Sequence, residues 1–190
     1  MIIFCAACNH HPGSMTGTEG DSAAVHQDTA AGWALLHFSK VDSVNPILQP
    51  GSNSFIDPVT QKRISWEAKD VFNPAVIVKD HKVYMLYRAQ DSIGLPDGTS
   101  RIGLAVSTDG LHFTRYPVPV LYPANDTCKK YEWQGGCEDP RVVQDDNGTY
   151  YMTYTAYDGT TARLFIATST DLLHWKKYGS VFAKAFNGKY

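Results

Sequence analysis

One short segment concentrates side chains that can do acid–base chemistry and bind a sugar. Residues 131–141 read YEWQGGCEDPR and contain two adjacent carboxylic acids, Glu138 and Asp139, followed by Arg141. One carboxylic acid can protonate a leaving group while a neighbouring group positions it. The indole of Trp133 offers an aromatic face of the kind that stacks on a sugar ring. An ordinary polar turn with an ion pair is the alternative that this segment leaves open.

Strand geometry limits how the two acids act together. Successive side chains of a regular strand point to opposite faces of the sheet. If residues 138 and 139 lie in a strand, we therefore expect that Glu138 and Asp139 do not both face one site.

The elements that carry these residues form two similar units. The segment NPAVI from Asn73 resembles DPRVV from Asp139, and RIGLAVSTDGLHF from Arg101 resembles RLFIATSTDLLHW from Arg163. Short apolar runs separated by turn residues predict about four antiparallel strands in each unit. The sequence therefore predicts an all-β protein whose repeated sheets are typical of β-propeller blades.

The repeat also predicts where the turns and the site lie. In each STDxLH-aromatic element, we expect Asp109 or Asp171 to bind backbone N–H groups of the turn while the aromatic residue packs between sheets. Asn73 and Asp139 occupy equivalent x-Pro positions at the inner strand of a blade, so we expect both to face the central funnel. Two units and a partial third from residues 33–60 do not close a ring, which indicates a fragment.

Four ordered motifs resemble glycoside hydrolase family 130, the β-mannoside phosphorylases and mannosidases. They are DVFNPA at 70–75, LYR at 86–88, SRIGLA at 100–105 and GGCEDPRV at 135–142. The resemblance covers about residues 40–190. It implies a five-bladed β-propeller with a central active site, of which this chain holds the first two to three blades.

The resemblance also implies roles for individual residues. Asp139 corresponds to the general acid, which protonates the glycosidic oxygen by way of a mannose hydroxyl, and Asn73 and Arg88 correspond to ligands of the sugar in the cleaved position. Arg88 has an alternative as the partner of Asp91 or Asp70. The remaining substrate-binding candidates are Glu138, Arg141, Arg163 and Trp133. For Arg163, the equivalent Arg101 in the first unit leaves a purely structural role open.

The resemblance implies inversion at the anomeric carbon, so the nucleophile is either water or inorganic phosphate. Hydrolysis is favoured here because the first eight residues hint at export, and because the segments 92–99 and 129–133 resemble the mannosidase branch. A β-mannoside phosphorylase releasing mannose 1-phosphate is the alternative, and a non-catalytic sugar-binding propeller is another. The expected partner is a β-mannoside oligosaccharide, with no metal and no cofactor beyond phosphate as co-substrate.

Composition excludes other classes of function. The 190 residues carry 17 Lys and Arg against 19 Asp and Glu, a net charge of −2, so the basic patch that nucleic-acid binding needs is not expected. The mean hydropathy is −0.28, and no apolar run between residues 13 and 190 approaches the roughly 20 residues that cross a bilayer.

The N-terminal segment bears on localisation. Residues 1–8, MIIFCAAC, resemble the end of a lipoprotein signal, although a mis-started terminus explains them equally. We expect residues 1–32 to be a disordered leader and residues 33–190 to be a catalytic domain, with a periplasmic or surface location slightly favoured over the cytoplasm. If the protein is exported, Cys128 and Cys137 are candidates for a disulfide.

Overall fold

The structure, a computed structural model, describes residues 39–95 and 97–182. The chain divides into two compact units, Met1–Ser43 and Val44–Tyr190. The leader sequence and its export motif lie outside the described residues. Among the residues that are described, none of the helices is both long and apolar enough to cross a membrane.

Strands dominate the described residues, which confirms the all-β prediction. A short hairpin, β1 and β2, comes first, and two four-stranded antiparallel repeats follow it. The hairpin consists of β1 (Ser54–Ile56) and β2 (Arg63–Ser65). Repeat one consists of β3 (Asp70–Lys79), β4 (Lys82–Gln90), β5 (Ser100–Ser107) and β6 (Thr114–Arg115). Repeat two consists of β7 (Gly136–Gln144), β8 (Tyr150–Tyr157), β9 (Ala162–Ser169) and β10 (Lys176–Ser180), preceded by a four-residue helix, α1 (Lys129–Glu132).

The two repeats are joined through one parallel pairing. Ser100 of β5 pairs with Gly136 of β7, and the strand order of the larger sheet is β10-β9-β8-β7-β5-β4-β3, with β6 on β5. Within the described residues this sheet is open, with β3 and β10 at its ends. Strand β7 also contacts β3 and β4, so the first strand of each repeat lies near that of the other.

One hydrophobic core cluster is shared by the two repeats, and a second lies between the β1–β2 hairpin and repeat one. The same buried polar device occurs in each repeat. A glutamate accepts a hydrogen bond from a buried tyrosine hydroxyl, at 2.8 Å in repeat one and 2.7 Å in repeat two. In each repeat a cationic nitrogen also contacts that glutamate, at 3.5 Å in repeat one and 2.5 Å in repeat two. The members are Glu67, Tyr87 and Arg115 in repeat one and Glu132, Tyr154 and Lys177 in repeat two. Pairing a buried carboxylate in this way offsets the cost of removing it from water.

The STDxLH-aromatic turns form as predicted. Asp109 Oδ1 accepts hydrogen bonds of 2.8 Å from the backbone N–H groups of Leu111 and His112. Asp171 does the same in repeat two, with the same distances. The following aromatic side chain of each turn packs against a core cluster. The repeated motif is therefore a structural turn that satisfies its own backbone donors.

The two described cysteines are not joined. Cys128 and Cys137 are buried free thiols, so the possible disulfide is wrong for this structure. Burial is the main cause that raises the pKa of both thiols. Buried, protonated thiols of this kind behave as small apolar groups in the core.

The turn aspartates predict how stability depends on pH. Hydrogen bonds from the ring of His112 and from backbone N–H groups lower the pKa of Asp109. Partial burial acts to raise the pKa of Asp171, but hydrogen bonds from the ring and backbone of His174 outweigh it, so this pKa is lowered as well. Their ordinary pKa is 3.8, so the stability that they contribute is present above that pH and is lost as the pH falls. Thermal unfolding of the Asp109→Asn/Asp171→Asn double variant should show a shallower fall in Tm between about pH 5 and pH 3 than the unaltered protein. Parallel curves would contradict this assignment.

Candidate active site

Two equivalent β-bulges build the site. The register between β3 and β4 shifts between Phe72 and Ala75, and the register between β7 and β8 shifts between Glu138 and Arg141. Inside these bulges Asn73 has φ of 48° and Asp139 has φ of 50°. Asn and Asp are the non-glycine residues that best tolerate this left-handed conformation, and the proline that follows each needs no N–H partner in the sheet.

The bulges bring the two inner-strand residues together. Asn73 Nδ2 donates a hydrogen bond to Asp139 Oδ1 at 2.6 Å. This contact confirms that the equivalent x-Pro positions of the two repeats converge. It links side chains 66 residues apart in the sequence.

The expectation that Glu138 and Asp139 face different ways is wrong. Both carboxylates contact Arg88, at 2.8 Å from Glu138 Oε1 and 3.1 Å from Asp139 Oδ1. The reason is the bulge: a residue in the left-handed region interrupts the alternation that a regular strand imposes.

Arg88, in β4, uses three different nitrogens on three acceptors. Its NH2 group donates to Glu138, its NH1 group donates to Asp139, and its Nε donates to Ser100 Oγ at 3.0 Å. The guanidinium also lies 4.6 Å from the centre of the Phe72 ring, a cation–π contact. Asp91, a partner that the sequence left open for Arg88, pairs with Arg101 instead. This set of contacts fixes the guanidinium in one orientation.

The two acids differ in their exposure to solvent. The side chain of Glu138 is 12% exposed and that of Asp139 is 37% exposed. Burial is the largest cause that raises the pKa of Glu138, and the negative charge of Asp139 adds to it, whereas Arg88 and Ser100 act in the opposite direction. Among the described residues only Oδ1 of Asp139 is hydrogen-bonded, which leaves Oδ2 available to a ligand.

The hydrogen bonds of Arg141 and Arg163, two predicted substrate ligands, go to groups outside this cluster. Arg141 is exposed, and its NH1 donates to the Pro140 carbonyl at 2.8 Å. Arg163 pairs with Asp158 at 2.6 Å, as Arg101 pairs with Asp91 in repeat one. In the described part of the chain neither Arg141 nor Arg163 is bonded to Asp139, so their substrate-binding roles stay predictions.

Trp133 lies in a separate depression at the end of α1. A cavity of about 570 Å³ is lined by Trp133 together with Asp126, Thr127, Lys129 and Lys130. The indole is half-buried there. The prediction that Trp133 stacks on a sugar is compatible with this position and stays a prediction.

Sequence reasoning missed Ser100 and Phe72 as parts of the cluster. Both lie inside motifs that carry the family resemblance, but no pattern shows that either faces Arg88. Ser100 begins β5 and Phe72 precedes the bulge in β3, so only the strand pairing of repeat one brings them beside β4.

The cluster combines two carboxylates with amide and guanidinium donors, which suits hydroxyl recognition and proton transfer. Within residues 39–95 and 97–182 no group of three or more His, Cys, Asp or Glu side chains is placed to hold a metal ion.

Comparison with known proteins places this cluster in a family. Residues 39–189 match the family model of glycoside hydrolase family 130, described as β-1,4-mannooligosaccharide phosphorylase. The chain belongs to this family. The GGCEDPRV and DVFNPA motifs, which the resemblance rested on, form the two bulges of the site in this family 130 member.

Two curated relatives and a solved structure support this family membership. A 1,2-β-oligomannan phosphorylase of Thermoanaerobacter sp. (strain X514) is 35% identical over 78% of this chain and 50% of its own length. A β-1,2-mannobiose phosphorylase of the same strain is 34% identical over 68% and 48%. The chain thus spans about half the length of the curated relatives it matches. One solved structure is 48% identical to this chain, with a TM-score of 0.77, and the match covers 83% of this chain and 45% of that one. Its description says that the family 130 mannoside phosphorylases contain glycoside hydrolases that target β-1,2 mannosidic linkages in Candida mannan.

Arg88→Lys tests whether the three-donor arrangement matters. Lysine keeps the charge but replaces a planar fork by a single point charge, so kcat/KM on a β-mannoside should fall about 10²-fold through lost orientation. Arg63→Lys, at an exposed arginine with one hydrogen bond to Ser54, is the matched control and should leave kcat/KM unchanged. Circular dichroism and Tm confirm folding. Equal kinetics for the two variants would contradict the assignment.

Proposed function

We propose that the protein cleaves the β-mannosidic bond of manno-oligosaccharides with inversion, and that Asp139 is the general acid. The observation that carries the proposal is how Asp139 is held. Asn73 and Arg88 both donate to Oδ1, while Oδ2 has no hydrogen-bond partner among the described residues and the side chain is 37% exposed. A carboxyl group fixed through one oxygen and open at the other is suited to deliver a proton to a bound sugar.

The other members of the cluster divide the remaining work. Asn73 and Arg88 present amide and guanidinium donors that suit the hydroxyls of the sugar in the cleaved position. Glu138 is more buried and is occupied by Arg88 and Ser100, so in this proposal it orients Arg88 rather than acting as a second acid.

We propose inorganic phosphate as the nucleophile. A phosphate oxygen attacks the anomeric carbon from the face opposite the leaving group, the glycosidic C–O bond breaks, and the departing oxygen takes the proton of Asp139. The products are mannose 1-phosphate and an oligosaccharide shorter by one sugar. The family description and both curated relatives support this alternative over the hydrolysis that the sequence analysis favoured.

Hydrolysis is the second candidate, and one observation favours it. The solved relative described with hydrolases is 48% identical to this chain, against 35% and 34% for the curated phosphorylases. Water activated by a base would then attack the same face. For either nucleophile we propose β-1,2-linked mannosides as the substrate, because the two curated names and the description of the solved relative refer to that linkage.

We propose further that the two repeats are adjacent blades of a five-bladed β-propeller. The contact between β3 and β7 and the bond from Asn73 to Asp139 support this arrangement, since the first strands of neighbouring blades meet at the axis of a propeller.

Asp139→Asn tests the acid. The amide keeps the shape and an acceptor oxygen but cannot give up a proton, so kcat on β-1,2-mannobiose should fall at least about 10²-fold. Asp145→Asn, in the turn between β7 and β8, is a matched control with the same change outside the cluster and should retain kcat. Normal turnover by Asp139→Asn would remove this residue from the mechanism.

Product analysis tests the nucleophile. Incubation of β-1,2-mannobiose with and without phosphate should give mannose 1-phosphate only when phosphate is present. Free mannose at equal rates in both reactions would establish hydrolysis instead. Binding of the disaccharide without either product, observed by calorimetry, would show a non-catalytic sugar-binding protein.

A further inference from the structure

Ser100 lies where the two repeats meet. Its backbone N–H donates to the Gly135 carbonyl at 2.8 Å, and it forms the parallel pair that connects β5 to β7. The approach is close: a Cβ added to Gly136 would lie 2.2 Å from the Ser100 carbonyl oxygen, and Gly136 has φ of +117°. Ser100 therefore lies against the segment that leads into Glu138 and Asp139.

The Ser100 hydroxyl is buried and has one orientation. Its side chain is fully enclosed, it accepts from Arg88 Nε at 3.0 Å, and it donates to Glu138 Oε1 at 3.1 Å. An arginine N–H can only donate, so the single hydroxyl proton must point to the glutamate. The hydroxyl thus bridges Arg88 Nε and Glu138 Oε1, and the NH2 group of Arg88 donates to the same oxygen.

Comparison of the repeats indicates that the strand itself does not need this hydroxyl. Ser100 begins β5, and the corresponding first residue of β9 in repeat two is Ala162, which is exposed. The following arginines, Arg101 and Arg163, occupy the same place in both repeats and pair with an aspartate in each. The repeats thus share the strand and the ion pair, but only repeat one has the hydroxyl, next to the acid cluster.

We propose that Ser100 is a positioning residue for the general acid. By holding Nε of Arg88 and one oxygen of Glu138, it fixes the guanidinium so that NH1 reaches Asp139 Oδ1 and Oδ2 stays directed to the substrate. Ser100 acts through Arg88 and Glu138, without contact to Asp139. The inference rests on the proposed function of Asp139 and extends it to a residue outside the substrate's reach.

Ser100→Ala, with Ser107→Ala as the matched control, tests the proposal. Ser107 ends the same strand about 23 Å away at ordinary strand rise. Its buried hydroxyl accepts from the backbone of Asp109 and Gly110 and donates to the Asp109 side chain, so its loss costs at least as many hydrogen bonds. Both variants should lower Tm, but only Ser100→Ala should lower kcat on β-1,2-mannobiose, by about tenfold, with KM little changed.

A second substrate separates positioning from general damage. An aryl β-mannoside with an acidic phenol as leaving group needs little protonation, so the loss caused by Ser100→Ala should shrink to about twofold on this substrate. Asp139→Asn calibrates the comparison, because removal of the acid should show the same dependence on the leaving group. A variant that is merely damaged would lose activity equally on both substrates.

The outcomes are distinct. If Ser100→Ala loses equal activity on the two substrates, or if its kcat is no lower than that of Ser107→Ala, the role of Ser100 is overturned while that of Asp139 stays intact. Full activity of Asp139→Asn would overturn the proposed function itself. If Ser100→Ala does not fold, Ser100→Cys places a slightly larger thiol that donates weakly, and the same leaving-group dependence is expected from it.

Discussion

The site depends on one guanidinium that connects the two repeats. Arg88 belongs to repeat one, and two of its acceptors, Glu138 and Asp139, belong to repeat two. Each contact is charge-assisted, and the Arg88 and Glu138 side chains are only 15% and 12% exposed, so water competes weakly for them. The relative position of β3, β4 and β7 is therefore reflected directly in the geometry of the acid. Any shift between the repeats would change the distance from Arg88 to Asp139, and it would also disturb the core cluster that the two repeats share.

Duplication of one unit explains how the cluster is supported. The Glu–Tyr–cation device, the Asp–Arg pair and the aspartate turn recur in both repeats and satisfy buried or turn polar groups wherever they occur. Position 73 carries an amide and position 139 a carboxyl on the same left-handed bulge. Because both bulges have the same backbone conformation, the amide of Asn73 in repeat one meets the carboxyl of Asp139 in repeat two.

Much of this arrangement follows from the sequence, and the rest fails for definable reasons. The strands, the turns at Asp109 and Asp171 and the convergence of Asn73 with Asp139 were predictable, because the repeat fixes equivalent positions. The shared orientation of Glu138 and Asp139 was not, because alternation assumes a regular strand and nothing short of the strand register reveals the bulge. Ser100 escaped for a similar reason, since its partners lie 12 and 38 residues away and are brought near only by strand pairing.

The difference in exposure between the adjacent acids supports the separate roles proposed for them. Glu138 accepts from both Arg88 and Ser100 through Oε1, and its side chain is only 12% exposed, so burial limits its access to a ligand. Asp139 is more exposed and accepts from Arg88 through Oδ1, so in the proposed mechanism Oδ2 exchanges a proton with a bound sugar while these contacts stay in place. The bulge makes this possible, because it turns the second acid toward the same guanidinium while raising it out of the strand. The acid role proposed for Asp139 and the orienting role proposed for Glu138 therefore both depend on one backbone irregularity.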